Sequence, residues 1–306
     1  MSRRIINEFG VQIYGATIGD TWAGLVRAVL DLGSQCFDED RERIALSNVR
    51  IKSSVQNYPD LTIEEHCNSD QLKAMLDFMF NTDTMEDIDV VKSFSRGAKS
   101  YHRRIKEGRM IEFVIERLSL IPESKKAVVV FPTYEDYAAV MRNHRDDYLP
   151  CLVSIQFRLL PGVHGPRIER RVEDDYLPCL VSIPFRLLPG VHGPRIERRV
   201  EDDYLPCLVS IQFRLLPDGK DYVFHTTFYS RSMDAWQKGH GNLLSIAKLS
   251  DWVRENVSAR IGRKIMLGPL DGMICDVHIY KETYAEACKR LANLDLRRTQ
   301  FDAVRN

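Results

Sequence analysis

The sequence lacks three features that would each indicate a class of protein. Its 43 lysine and arginine residues are balanced by 43 aspartate and glutamate residues, for a net charge of +0, which argues against nucleic-acid binding driven by charge. It has no apolar run of the roughly 18 residues that a membrane helix needs, and residues 1–8 lack the apolar core of a signal peptide. We therefore expect a cytoplasmic protein with no nucleic-acid or membrane partner.

The cysteines form no pattern that indicates disulfides or a metal site. There are seven, an odd number with no Cys-x-x-Cys pair, which is typical of reduced thiols. Some of them alternate with histidines in the series Cys151, His164, Cys179, His192 and Cys207. No metal is expected there, because the short ligand spacing of a zinc site is missing. We interpret the remaining cysteines as packing residues: Cys36, Cys67, Cys275 and Cys288.

A repeated segment explains the periodic cysteines. Residues 146–173 recur at 174–201 with one change, since Pro184 stands where the first copy has Gln156, and residues 202–217 repeat the first part again. Solenoid repeats diverge in sequence and run through most of a chain. These copies are nearly identical and confined to the middle, which favours a recent duplication or an error in assembling the sequence.

The repeat changes the expected domain organisation. Without two of the 28-residue periods, 250 residues remain, which suits one domain. We predict a single domain over residues 1–306, in which residues 146–201 are two extra copies looped out as an insertion.

Helical and strand patterns mix along the rest of the chain. Apolar residues at i, i+3, i+4 and i+7 predict helices near residues 20–32, 69–80, 106–120, 134–142, 241–256 and 282–293. Alternating or β-branched runs predict strands over residues 47–55, 127–131, 208–216, 222–229 and 276–280. Asp20 and Ser69 are the expected caps of the first two helices, and Asp218-Gly219 is the expected hairpin turn. Because strands and helices do not strictly alternate, the α+β class is predicted.

Four short stretches carry more polar residues than packing requires. They are Leu205-Pro206-Cys207 with Gln212-Phe213, Arg231-Ser232-Met233-Asp234 continuing to Asn242, Asp276-Val277-His278-Ile279-Tyr280, and Ser124-Lys125-Lys126.

These stretches resemble motifs of the thymidylate synthase and dCMP hydroxymethylase family. That family shows Pro-Cys followed by Gln-Phe, Arg-Ser-x-Asp with an Asn eleven residues after the Arg, and Asp-x-His-x-Tyr. The spacings from Cys207 to Gln212 and from Arg231 to Asn242 match the family pattern, and the motifs occur in the same order along the chain. The resemblance implies a large mixed twisted sheet with packed helices, a homodimer, and transfer of a one-carbon unit from methylene-tetrahydrofolate, the co-substrate, to carbon 5 of dUMP.

The chemistry of the residues agrees with those roles. A Cys207 thiolate that adds to carbon 6 of a pyrimidine needs nearby positive charge. Arg231 supplies that charge, and its guanidinium can also bind a phosphate through two parallel hydrogen bonds. Asn242 offers a donor and an acceptor to the edge of a uracil. His278 and Tyr280 face one side of a strand, where they can reach a sugar hydroxyl.

Other roles follow from the resemblance alone. It implies that Lys125 and Lys126 replace an Arg-Arg pair that reaches the nucleotide phosphate of the partner subunit, where lysines lose the bidentate fork. Arg41 loosely matches a phosphate-binding arginine. The remaining members of the implied substrate-binding set come from the matched motifs: Gln212, Ser232 and Asp234.

Three copies of the segment offer three thiols for one active-site strand. Pro184 makes the second copy the poorest central strand, and the third copy is continuous with the Asp218-Gly219 turn and with Arg231. Since hairpin register is local, Cys207 is the predicted nucleophile, and Cys151 is the alternative.

Departures from the family pattern keep other functions open. Ala74 stands where the family has a catalytic Glu, Leu208 replaces the usual His after the cysteine, and the family's C-terminal tail is not found. A hydroxymethylase, or an inactive relative that binds a nucleotide, therefore remains an alternative. Taken alone, Arg231 could simply pair with a carboxylate, and His278 could be a core or surface histidine.

Overall fold

The computed structural model describes residues 10–38, 41–81, 99–121, 126–142, 154–159, 208–218, 221–291 and 299–303. Helices within these ranges are α1 (Ile18–Leu32), α2 (Leu61–His66), α3 (Ser69–Phe80), α4 (Tyr101–Glu107), α5 (Met110–Leu120), α6 (Tyr134–Arg142), α7 (Gly239–Ile261) and α8 (Lys281–Leu291). Strands are β1 (Val11–Gly15), β2 (Ser34–Asp38), β3 (Arg41–Ser53), β4 (Val128–Val130), β5 (Ser154–Leu159), β6 (Leu208–Asp218), β7 (Asp221–Ser230), β8 (Met233–Asp234), β9 (Ile265–Tyr280) and β10 (Thr299–Ala303).

The described strands form one large mixed sheet. Its order is β10-β1-β3-β9-β7-β6-β5-β4, with β2 beside β3 and β8 beside β9. Parallel pairs such as β1 with β3 and β7 with β9 alternate with antiparallel pairs such as β3 with β9 and β6 with β7. This architecture confirms the predicted α+β class and its large mixed sheet with packed helices.

The core lies between the sheet and the helices α1 and α7. Trp22 and Leu25 of α1 are fully buried, and so are Leu243 and Leu244 of α7, as their helical spacing predicts. Trp252, also on α7, is by contrast 42% exposed. None of the described helices is long and apolar enough to cross a membrane.

Both predicted helix caps are wrong by one to three residues. Helix α1 begins at Ile18, and its cap is Thr17, whose side-chain oxygen accepts a hydrogen bond from the backbone N–H of Asp20. Asp20 itself lies in the first turn, where an acidic side chain is favoured by the helix dipole. Helix α3 is capped by Asn68 rather than Ser69.

The helix predicted over residues 106–120 is two helices. Helix α4 ends at its C-cap Gly108, and Arg109, which adopts a left-handed backbone conformation with φ 47°, is the N-cap of α5. Arg104 then reaches away from α4 to form a salt bridge of 2.8 Å with Asp136 and a hydrogen bond to the Phe131 carbonyl. Sequence patterns missed several short elements altogether, among them β1, β2, α2, β8 and β10.

Two copies of the repeated segment lie side by side in the sheet. Strand β5 belongs to the first copy and β6 to the third, and they pair in parallel with identical residues opposite each other from Ser154–Ser210 to Leu159–Leu215. The rings of Phe157 and Phe213 lie 5.0 Å apart and are almost completely buried. The prediction that residues 146–201 are looped out is therefore wrong for residues 154–159; the rest of that segment lies outside the described residues.

Candidate functional site

A change of face in β3 and β9 determines which side chains reach the site. From Gly268 to Ile274 the buried residues of β9 are the even-numbered ones, whereas beyond Ile274 the apolar residues Val277 and Ile279 are buried, together with His278. The change occurs opposite Asn48, which has φ 56°. As a result, Asp276, His278 and Tyr280 share the other face of β9.

Strand β8 brings two of the sequence motifs together. Asp234 of the Arg-Ser-x-Asp stretch pairs with His278 of the Asp-x-His-x-Tyr stretch. The next backbone N–H, that of Ala235, donates to the His278 carbonyl over 2.8 Å. Residues 231–234 and 276–280, separated by more than 40 positions in the sequence, are therefore neighbours in the fold.

Three polar side chains converge on the Asp276 carboxylate, and we call the four residues the Asp276 cluster: Arg43, Ser232, Asp276 and His278. Arg43 Nη1 donates to Asp276 Oδ2 over 2.6 Å, and Ser232 Oγ donates to the same oxygen over 3.3 Å. His278 Nδ1 lies 3.4 Å from Ser232 Oγ and 3.6 Å from Asp276 Oδ2. Burial opposes ionisation, but the hydrogen bonds from His278 and Arg43 outweigh it and lower the pKa of Asp276 to about 2.

Tyr280 connects the Asp276 cluster to Arg41. The rings of His278 and Tyr280 meet edge-on with centroids 4.9 Å apart, and the Arg41 guanidinium lies 4.1 Å above the Tyr280 ring. Arg41 Nη2 also pairs with Glu282 over 3.1 Å. Arg41 therefore lies beside the other predicted site residues, but part of its charge is balanced by Glu282 at the start of α8.

Asp234 and Asn242 have different roles in the turn that leads into α7. The Asp234 carboxylate accepts hydrogen bonds from the backbone N–H groups of Trp236 and Gln237 and from the Gln237 side chain, at 2.9–3.0 Å. Asp234 is thus occupied in shaping the turn. Asn242 is half-buried in the first turn of α7, and its side-chain amide makes no hydrogen bond to any described residue, so it is available to a ligand.

Gln212 lies on β6, and Arg231 follows the end of β7. Gln212 Nε2 donates over 2.9 Å to Oε1 of Gln156, the matching residue of the first repeat copy. Arg231 is half-buried directly after β7. The last pair of the β6–β7 ladder joins Leu208 to Ser230, so that these two strands meet immediately before Arg231.

The other predicted residues lie either outside the described ranges or away from this arrangement. Cys207, Lys125 and the whole Cys/His series of the repeat lie outside the described residues. Lys126 directly precedes β4, at the end of the sheet and four strands away from β9, which at about 4.8 Å per strand is on the order of 19 Å. Within the described part of the chain, no group of three His, Cys, Asp or Glu residues could hold a metal ion.

The four cysteines in the described ranges differ in burial, and the predicted packing role suits Cys67 best. Cys67 is buried, and burial raises the pKa of its thiol to about 11. Cys36, Cys275 and Cys288 are half-buried, and the Cys275 thiol lies 3.0 Å from the Tyr229 hydroxyl.

Sequence reasoning missed Arg43. It lies two residues after Arg41 and therefore on the same side of β3, and its backbone is opposite Tyr280 in the ladder. The alternation Arg41-Glu42-Arg43 was the available signal, but nothing in it favours Arg43 as the partner of a residue 233 positions away.

A cavity on the helical side of the molecule is separate from this site. It has a volume of about 330 Å³ and lies between α2, α3 and α7, lined by residues that include Tyr58, Leu72, Lys73, Leu76 and Lys248. None of the predicted site residues lines it, so we assign neither the nucleotide nor the folate to it.

Comparison with known proteins supports the fold. The structure is similar to that of thermostable thymidylate synthase A from Bacillus subtilis, with a TM-score of 0.50 and 9% sequence identity over 93% of this chain and 94% of that chain. No protein family profile matches the sequence, and no curated protein matches it either. At this identity the likeness concerns the fold, and the chain therefore has a thymidylate synthase-like fold.

Proposed function

We propose that this protein binds a pyrimidine nucleoside monophosphate, dUMP, and transfers a one-carbon unit from methylene-tetrahydrofolate to carbon 5 of the ring through an adduct on Cys207. The thiolate adds to carbon 6, which makes carbon 5 nucleophilic. Carbon 5 then bonds to the methylene carbon of the folate and loses its proton, and the bond from that methylene carbon to the folate nitrogen breaks. A hydride from the tetrahydrofolate reduces the exocyclic methylene as the thiolate leaves carbon 6, which gives dTMP and dihydrofolate. The folate is a co-substrate and supplies the one-carbon unit.

One structural relationship supports this assignment more than any other. Leu208 and Ser230 are paired across β6 and β7, and in the sequence they are the immediate neighbours of Cys207 and Arg231. In the proposed site, the positive charge of the Arg231 guanidinium stabilises the Cys207 thiolate. The same guanidinium can bind the phosphate of the nucleotide through two parallel hydrogen bonds.

The remaining residues fit the other parts of the nucleotide. The unoccupied amide of Asn242 can donate to and accept from the uracil edge. His278 and Tyr280, in contact on one face of β9, suit the sugar hydroxyl. Ser232 lies within the Asp276 cluster beside them.

A second candidate is a relative that binds the nucleotide without catalysis, and the composition of α3 favours it. Ala74, at the position of the family's catalytic Glu, is half-buried on α3 and has no group that could move a proton. A third outcome, hydroxymethylation, follows from the same Cys207 adduct if water is added to the one-carbon unit.

We also propose a homodimer formed through the face of the sheet opposite the helices. Arg50 and Met273 are paired on neighbouring strands and are exposed there. Lys125 and Lys126 would then reach the phosphate in the partner subunit. Light scattering of the protein should give twice the chain mass, and Met273→Glu should give the chain mass; a monomeric wild type contradicts the dimer.

The decisive experiment uses 5-fluoro-dUMP with methylene-tetrahydrofolate, because fluorine cannot leave carbon 5 as a proton does and the adduct persists. Intact mass should increase by both ligands, and peptide mapping should place the adduct on Cys207. An adduct on Cys151 would instead select the first repeat copy.

Two cysteine variants test whether the adduct forms specifically on Cys207. Cys207→Ser should abolish the adduct, whereas Cys67→Ser, at a buried thiol, should retain it. Nucleotide binding in calorimetry without any adduct would favour the inactive relative, and no binding would refute the proposal.

A further inference from the structure

We propose that Arg43 and Asp276 are positioning residues that hold the proton of neutral His278 on Nδ1, so that Nε2 accepts a hydrogen bond and selects a ligand hydroxyl. The selection of a nucleotide sugar rests on the proposed function, whereas the position of the proton depends only on the Asp276 cluster.

The number of available protons determines the direction of each hydrogen bond. The Asp276 carboxylate can only accept when ionised, and with a pKa of about 2 it is ionised at any ordinary pH. Arg43 donates to Oδ2 over 2.6 Å and Ser232 donates to the same oxygen over 3.3 Å. Ser232 has a single hydroxyl proton, and a charged acceptor holds it more strongly than a neutral ring nitrogen does.

Ser232 therefore has no proton left for the histidine. Its Oγ, 3.4 Å from His278 Nδ1, can act towards the ring only as an acceptor, so Nδ1 must carry the hydrogen. The negative charge of Asp276, 3.6 Å from Nδ1, favours the same arrangement. In neutral imidazole one nitrogen donates and the other accepts, which leaves Nε2 as the acceptor.

Arg43 stabilises this arrangement from the side of the carboxylate. It is the closest partner of Asp276, and its side chain is only 15% exposed. A guanidinium held this way fixes the orientation of the carboxylate. The consequence for recognition is that a ligand group at Nε2 must be a donor, such as a hydroxyl, because an ether or carbonyl oxygen would leave Nε2 unsatisfied.

Ring spectra test the tautomer without any ligand. Long-range nitrogen–carbon NMR correlations at a pH where the ring is neutral, assigned with His278→Gln, should show the hydrogen on Nδ1. Asp276→Asn should move it substantially to Nε2, because Ser232 then becomes free to donate to Nδ1. In Arg43→Gln, carboxyl NMR should show the pKa of Asp276 rising from about 2 towards 3.8.

Asp251→Asn is the matched control, since Asp251 is also paired with an arginine, Arg254, at 2.6 Å but lies on α7 outside the cluster. It should leave the ring spectrum unchanged, and melting curves should show that each variant is folded. A wild-type ring with its hydrogen on Nε2, or an unchanged tautomer in Asp276→Asn, would overturn the inference.

Binding measurements test the consequence for selectivity. Calorimetry should show that the wild type binds dUMP about tenfold more tightly than 2′,3′-dideoxyuridine monophosphate, as expected for one hydrogen bond, and that Asp276→Asn reduces this preference to less than about threefold. Equal wild-type affinities would contradict the selection of a hydroxyl. If neither nucleotide binds, the proposed function fails, and the ring spectra alone decide the tautomer.

Discussion

Gln156 and Gln212 hold the same position in two copies of one sequence, and they lie side by side in the sheet, with Gln212 Nε2 donating to Gln156 Oε1 over 2.9 Å. Parallel pairing in exact register stacks every side chain of β5 on its duplicate in β6. Identical stacked residues are also the basis of cross-β assemblies. Residues 154–159 of the first copy are therefore part of the sheet, where they separate β6 from β4.

Truncation of the duplicated phenylalanines tests this pairing. Because Phe157 and Phe213 are both 1% exposed, either change to alanine should lower the free energy of unfolding by about 3–5 kcal/mol, measured in urea. Phe37→Ala is the control, since Phe37 is 65% exposed, and should cost much less. A small effect of Phe157→Ala would mean that the first copy does not contribute to the core.

Acid should weaken the fold partly through Asp276. Its pKa is lowered from 3.8 to about 2 in the folded protein, so the stability that it contributes is complete above about pH 4 and is lost as the pH falls towards 2. The difference in unfolding free energy between wild type and Asp276→Asn should shrink over that interval. Denaturation curves at several pH values measure it, and a constant difference would show that Asp276 is not the group that titrates.

Arg104 should be the most sensitive charged residue of the α4–α6 region. It forms two hydrogen bonds of 2.8 Å with Asp136, and the side chains of the pair are only 5% and 12% exposed. Removing one partner of a buried pair leaves an uncompensated charge and costs about 3–5 kcal/mol. Arg104→Met should show this loss in chemical denaturation, while Arg103→Met, at a surface pair with Glu107, should change stability by less than about 1 kcal/mol.

Asn242 should determine which pyrimidine is bound. An amide matches the alternating donor and acceptor of uracil, whereas a carboxylate accepts from the amino group of cytosine. Asn242→Asp should therefore weaken dUMP binding by about tenfold and improve binding of dCMP, as measured by calorimetry. Unchanged affinity for both nucleotides would place the ring elsewhere.

Much of the fold was predictable because its long elements have clear periodicity. Helix α6 was predicted at its observed bounds, and β6, β7 and α8 within about two residues. The short strands β1 and β10 were not, because a five-residue segment carries little periodic signal and depends on its neighbours for stability. The break between α4 and α5 was also missed, although Gly108, the C-cap of α4, is a residue type that commonly ends helices.

The sequence alone determines the type and spacing of the motif residues. His278 and Tyr280, for example, are two positions apart and therefore share a face of any strand that contains them. The partners of those residues depend on how distant segments fold together. Arg43 meets Asp276 because β3 and β9 pair antiparallel, and the first repeat copy joins the third because identical residues bury the same face. Long-range pairing of this kind is a property of the assembled sheet, in which the burial of many side chains at once selects the register.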